Sequence, residues 1–164
     1  MFAEFKIENL ENFPKQLEEL IEKQLEEVEE IASLDNATYD SVSKPLQDLD
    51  EELGVFFTPL SHLNSVNNNQ DTQKAYEESL PLLSAYSSKI AQHEKLFAQI
   101  EKLSSNDTAS SKVIENEQRD FILSGIKLNS QDKKALEDIK SVQSHLFGHR
   151  LFAPFSLRIS LSSS

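Results

Sequence analysis

One pair of histidines in this chain stands at helical spacing: His145 and His149, in the stretch His-Leu-Phe-Gly-His. Two imidazoles one turn apart are how His-Glu-x-x-His helices hold a zinc ion, with the intervening glutamate activating a water. Here that glutamate position is Leu146, so the pair contains no general base. Gly148 and Pro154 also disfavour a long regular helix around it. A metal pair needs a third ligand and groups to orient the rings, and the sequence displays neither. The pair is therefore expected not to be a metal centre.

The other histidines read as structural. His62, in Ser-His-Leu-Asn-Ser-Val near a helix end, is expected to be hydrogen-bonded, and His93, in Ala-Gln-His-Glu-Lys-Leu-Phe, to be a surface or boundary side chain. Carboxylates are plentiful, with 28 acidic residues, so pairs at helical spacing such as Glu26 and Glu30 arise by chance and carry no acid–base signal. Three isolated glycines cannot build a phosphate loop, a nucleophile elbow or a calcium loop. Glu-x-x-His, the di-iron element of helical bundles, is absent. With no cysteine, disulfides, thiolate zinc sites and a cysteine nucleophile are all removed. The expectation is a chain with no catalytic, cofactor-binding or metal-binding residue of its own.

The elements that would position any such residue are helices. The 164 residues make about one domain, rich in Glu, Lys, Gln and Leu, which keep most of their rotamer freedom in a helix. A first helix is expected after Asn12 as N-cap, with Pro14 early. Its apolar stripe would be Phe13, Leu17, Leu20, Ile21, Leu25, Val28 and Ile31, beside an acidic face read as solvated surface. Asp35, Asn36 and Thr38 are capping candidates for a second helix from about Tyr39, carrying Val42, Leu46, Leu49, Leu53, Phe56 and Phe57. Pro59 should kink or break it before Leu60 and Leu63. A third long helix is expected over 71–103, with Tyr76, Leu80, Leu83, Tyr86, Ile90, Phe97 and Ile100 inward and Pro81 bending it.

After a polar linker, Ser-Ser-Asn-Asp-Thr-Ala-Ser-Ser, expected to be the loosest internal segment, a shorter helix should run over 110–124 and end at Gly125. Ser130 would cap a fifth, with Leu136, Ile139, Val142 and Leu146 at helical spacing. The fold class is all-α, about five helices in an antiparallel bundle or helical hairpin array. A net charge of −12 argues against coating nucleic acid or an anionic membrane, because no basic patch is segregated from it. The start, Met-Phe-Ala-Glu-Phe-Lys, lacks a cationic region and an apolar run, so neither a secretory signal nor a membrane span is expected. A cytoplasmic protein is the default.

Three stretches are more specific than composition: PLQDLDEELGVFFTPLSHLNSVNN (45–68), AYEESLPLLSAYSSKIAQHEKLF (75–97) and ENEQRDFILSGIKL (115–128). In order and spacing they resemble the N-terminal helical region of bacterial members of the thimet oligopeptidase family of zinc peptidases. The opening FKIENLENFPKQLEELIEK is similar too, so the resemblance covers about Phe5 to Val142. It implies a cytoplasmic metallo-endopeptidase that degrades short peptides in a channel closed to folded proteins. The family's zinc motif and its downstream glutamate lie far into the C-terminal half and have no counterpart here. By this resemblance the chain would supply scaffold and channel wall, with zinc belonging to the full-length family, and its partner would be the missing catalytic half.

The tail departs from the family's pattern, in which the fifth helix continues like Leu-Ser-x-x-Phe-Ser-x-Asn-x-Leu-Asp. All acidic residues lie at or before Asp138 and all lysines at or before Lys140, whereas Arg150 and Arg158 are in the tail. Such a switch is what a shifted reading frame produces. The expected division is a helical domain over 1–142 and an aberrant or disordered tail over 143–164; a natural C-terminal extension is the alternative. A fragment cut from its larger half should leave an apolar helix face uncovered and be prone to self-association. The competing reading is a freestanding acidic module that binds partner helices, although Pro45, Pro59 and Pro81 interrupt any long coiled coil.

Overall fold

The computed structural model describes residues 9–66, 69–128 and 131–135. Among them the chain is all-α, with no strand. One 3-10 turn (Leu10–Asn12) leads into α1 (Phe13–Ala32), a π turn (Tyr39–Ser43) into α2 (Lys44–Val66), and α3 (Gln70–Ala91), α4 (Glu94–Lys102) and α5 (Thr108–Leu123) follow. Residues 131–135 are again helical. Ser130, Leu136, Ile139, Val142, Leu146, His145, His149 and the segment 143–164 lie outside the described residues.

The helix starts show which local signals hold. Pro14 occupies the first turn of α1, but Asn12 makes no side-chain cap, because the 3-10 turn ahead of it already supplies helical backbone there. Thr38 is the cap for the second helical stretch, in a reciprocal box with Ser41. Asn69 and Thr72 form the same box at α3. Pro59 does not break α2, which runs on to Val66. The carbonyl that Pro59 cannot bond belongs to Val55, a residue 69% exposed, so water can satisfy it.

The expected third helix over 71–103 is instead two, α3 and α4, separated at Gln92 and His93. No glycine or proline marks the break. His93 makes it, with extended backbone and a ring that caps α4. At the end of α5, Gly125 sits at φ 89°, and the amides of Gly125 and Ile126 bond the carbonyls of Ile122 and Phe121. That is a Schellman closure, completed by burial of both Phe121 and Ile126.

Two apolar cores result. One joins Phe13, Leu17 and Ile21 of α1 to Leu53, Phe57 and Leu60 of α2 and Ala75, Leu83 and Tyr86 of α3. The other joins Val28, Ile31 and Ala32 of α1 to Val42, Leu49, the α4 residues Leu96, Phe97 and Ile100, and Ile114 and Phe121 of α5. The early half of α1 thus meets the late half of α2 and the reverse, so these two helices run antiparallel. Ile90 packs against both cores. The inward register of α1 is Phe13, Leu17, Ile21, Gln24, Val28 and Ile31, with Gln24 fully buried. Leu20 and Leu25, expected inward, are only half-buried and pack at the margin.

Candidate functional site

Between the two cores lies a polar seam. Gln24 Nε2 donates to the Leu49 carbonyl at 2.8 Å and to Glu52 Oε2 at 3.1 Å. Its Oε1, also buried, has no hydrogen-bond partner among the described residues. Lys23 closes the outer edge, 3.4 Å from Glu27 and 3.6 Å from Glu52, and Glu52 first and then Glu27 push its ammonium pKa up.

The inner end of the seam holds carboxylates. Glu117 of α5 is 3% exposed, and Ser43 Oγ donates to its Oε2 at 2.6 Å. Burial raises the Glu117 pKa above the ordinary carboxylate range, the hydrogen bonds from Ser43 and Gln47 oppose that, and Asp120 adds to it. Asp50 of α2 is pushed up to about 6, mainly by burial and then by the charge of Glu117. The Tyr86 hydroxyl is raised as well, by burial first and then by Asp50, Glu27 and Glu52. One carboxyl pushed up beside another is an arrangement that acid–base enzymes use. Glu117 is closed off from solvent, and the group beside it is the Ser43 hydroxyl.

The histidines resolve differently from one another. His93 Nδ1 accepts the Leu96 amide at 3.0 Å, while Nε2 lies 3.1 Å from Glu29 Oε1. With Nδ1 an acceptor, the proton sits on Nε2 and faces Glu29. His93 is thus a boundary side chain, as expected, and in addition the cap of α4. His62 is exposed on α2 and has no hydrogen bond among the described residues, contrary to expectation. Glu26 and Glu30 lie on the exposed face of α1.

Among the described residues no three of His, Cys, Asp or Glu converge on a point that could hold a metal. The Asp50–Glu117 pair offers two carboxylates and a serine hydroxyl, a donor set that does not fit a zinc peptidase centre. No helix among the described residues is long and apolar enough to cross a membrane. The exposed large apolar side chains are Val55 and Val66 on α2 and Ile122, Leu123 and Leu128 around the end of α5.

Comparison with known proteins agrees with this architecture. A family profile described as Neurolysin/Thimet oligopeptidase, N-terminal domain, matches residues 14–133. The chain is 40% identical over 115 residues to Oligopeptidase A of Escherichia coli (strain K12), covering 66% of this chain and 17% of that protein. Against Oligopeptidase A of Salmonella typhimurium the identity is 39% over 115 residues, again 66% of this chain and 17% of the relative. Against Oligopeptidase A of Haemophilus influenzae it is 33% over 136 residues, or 79% of this chain and 20% of the relative. The chain therefore spans a fifth or less of the length of the relatives it matches.

Proposed function

The chain belongs to the thimet oligopeptidase family, in which it corresponds to the N-terminal helical domain, and on that premise we propose that it is a scaffold without catalytic chemistry of its own. In this reading the domain, residues 1–142, forms part of the wall of a peptide-degrading chamber, and zinc chemistry belongs to a larger catalytic half. That half is the partner, short peptides are substrates only of the assembled enzyme, and the compartment is the cytoplasm. The observation that carries the reading is the placement of the match: nearly all of the described helices fall in the family's N-terminal domain, and none supplies a convergent ligand set. The exposed Ile122, Leu123 and Leu128 support a partner that covers the end of α5.

The test is hydrolysis of a short quenched-fluorescent peptide by the full chain with added zinc, and then by the chain mixed with an Escherichia coli Oligopeptidase A lacking its matched region. The chain alone should give no chelator-sensitive cleavage, and the mixture should recover it. Cleavage by the isolated chain, abolished by chelator, would overturn the scaffold reading.

A further inference from the structure

Charge is spread unevenly over this domain. From residue 9 to 107 the sequence carries 20 acidic and 7 basic residues, whereas from 108 to 135 it carries 4 acidic and 5 basic ones. Among the described residues, α5 and the turns after it are thus the one part whose charge is not negative. The gathering of exposed apolar side chains falls in that same part: Ile122 is 49% exposed, Leu123 65% and Leu128 40%. The amides of Gly125, Ile126 and Leu128 bond the carbonyls of Ile122, Phe121 and Gly125, which keeps Leu128 close to the end of α5. Val55 and Val66 stand about three turns apart on α2 and make no such group.

Arg119 edges this patch. It precedes Ile122 and Leu123 by three and four residues, which on a helix puts all three on one face. Its guanidinium donates to Asn116 Oδ1 at 3.1 Å, and its one carboxylate contact among the described residues is Asp120, at 3.9 Å. The cations around it are taken more closely. Lys112 lies 3.3 Å from Glu115, Lys133 3.4 Å from Glu94, and Lys127 2.6 Å from Glu101 and over the Phe97 ring.

We propose that the end of α5 is where the larger catalytic half docks, and that this half presents an apolar segment edged by carboxylates. The inference rests on the reading that such a half is the partner, and adds the face it meets and the chemistry it brings. Exposed apolar side chains gathered on one stretch gain most by losing water against another apolar surface. A guanidinium without a close carboxylate favours one lying in its plane, where two N–H groups reach both oxygens. A cationic segment would gain nothing at Arg119 and would sit instead on the acidic side of α1. The matched domain is N-terminal and covers a fifth or less of each relative, so in those proteins the chain leaving this turn leads into the larger part.

The experiment titrates the full chain, by calorimetry, with Escherichia coli Oligopeptidase A lacking its matched region. Leu123→Ala should weaken binding about tenfold or more, because most of a leucine's apolar surface no longer becomes buried. Arg119→Glu should weaken it about fivefold at low salt, and that loss should fade toward about 1 M salt, where the screening length is about 3 Å. Val55→Ala should bind as the wild type does. All three positions are exposed, so circular dichroism should find the fold unchanged. Unchanged affinity in Leu123→Ala and Arg119→Glu overturns the inference and leaves the scaffold reading standing. Tighter binding by Arg119→Glu overturns it too, since the partner's face would then be cationic. Absence of binding by every form, the wild type included, overturns the partner itself. A dimer of the chain alone that Leu123→Ala separates would make a second copy the occupant and also overturns the inference. Should the shortened relative not fold, the same variants are read in an intact Oligopeptidase A whose matched region is replaced by residues 14–133 of this chain. There Leu123→Ala and Arg119→Glu should lower the melting temperature while Val55→Ala leaves it in place, and equal melting of all forms overturns the inference.

Discussion

Replacing His93 by alanine removes two contacts at once, and their sizes can be worked out separately. The first is the cap: Nδ1 accepts the Leu96 amide at 3.0 Å, doing the work usually given to an Asn or Asp oxygen. Losing a cap costs typically about 1 kcal/mol, within a range of roughly 0.5 to 2. The second is Nε2 against Glu29 Oε1 at 3.1 Å, a contact whose carboxylate side is largely in water. Such a pair is worth about 0.2 to 1 kcal/mol, because the solvent screens it. Together His93→Ala should lose about 1 to 2 kcal/mol, which for a chain of this size lowers the melting temperature by roughly 3 to 6 °C. His93→Asn should recover most of the first contribution and none of the second, since an Asn side chain can cap but cannot reach Glu29. Thermal and urea unfolding of the full chain measure both variants at neutral pH. Nitrogen-15 NMR of the wild-type ring should find the proton on Nε2. If His93→Asn is as unstable as His93→Ala, or if the ring proton sits on Nδ1, capping is not what holds the α3–α4 junction.

Gly125→Ala forces a side chain into φ 89° and should cost about 1 to 2 kcal/mol, read by urea unfolding, with Phe121 and Ile126 losing exchange protection first. Gln24→Leu removes a buried amide whose Oε1 has no partner among the described residues, and the Leu49 carbonyl it bonds lies within a helix. Its unfolding free energy should stay within about 1 kcal/mol of wild type or rise above it. Asp107 accepts the Ser110 amide at the start of α5, and that bond first of all holds its pKa below 3.8. Its capping contribution is therefore present above the ordinary carboxylate value and lost as pH falls below it. Carbon chemical shifts in the first turn of α5 should show fraying as pH falls below the ordinary carboxylate range, and Asp107→Asn should not share that pH dependence.

Much of the fold could be read from residue spacing because burial repeats with the helical period. The stripe of α1, the cap at Thr38 and the left-handed Gly125 all followed from local rules. Gln24 was missed because a polar residue does not register in an apolar stripe. Yet Ile21, Gln24 and Val28 keep the three- and four-residue rhythm, and that rhythm was the available signal. The break between α3 and α4 escaped notice because a histidine ring acts as cap there, where glycine or proline would announce it. Glu117 and Asp50 looked like any other acid in a chain rich in acids. Their neighbours told otherwise: Glu117 sits between Ile114 and Phe121, three residues after one buried apolar residue and four before the next. Asp50 is placed likewise, four residues after Leu46 and three before Leu53. An acid at an inward position is a statement about burial. What spacing could not supply was the partner that Glu117 meets, since Ser43 and Glu117 are brought together only by the packing of elements distant in sequence.

Because α1 contributes to both apolar cores, its place in the chain also governs how the molecule is made. Its stripe leaves the ribosome first, but Leu96 and Ile100, which cover its later half, are synthesised about 70 residues afterwards. At roughly 5 to 20 residues per second that is a wait of about 4 to 14 seconds. For that interval Val28 and Ile31 have no native covering from α4. The dense run of glutamates on the other face of α1 puts like charge on this nascent helix meanwhile, and such charge disfavours sticking to neighbouring chains.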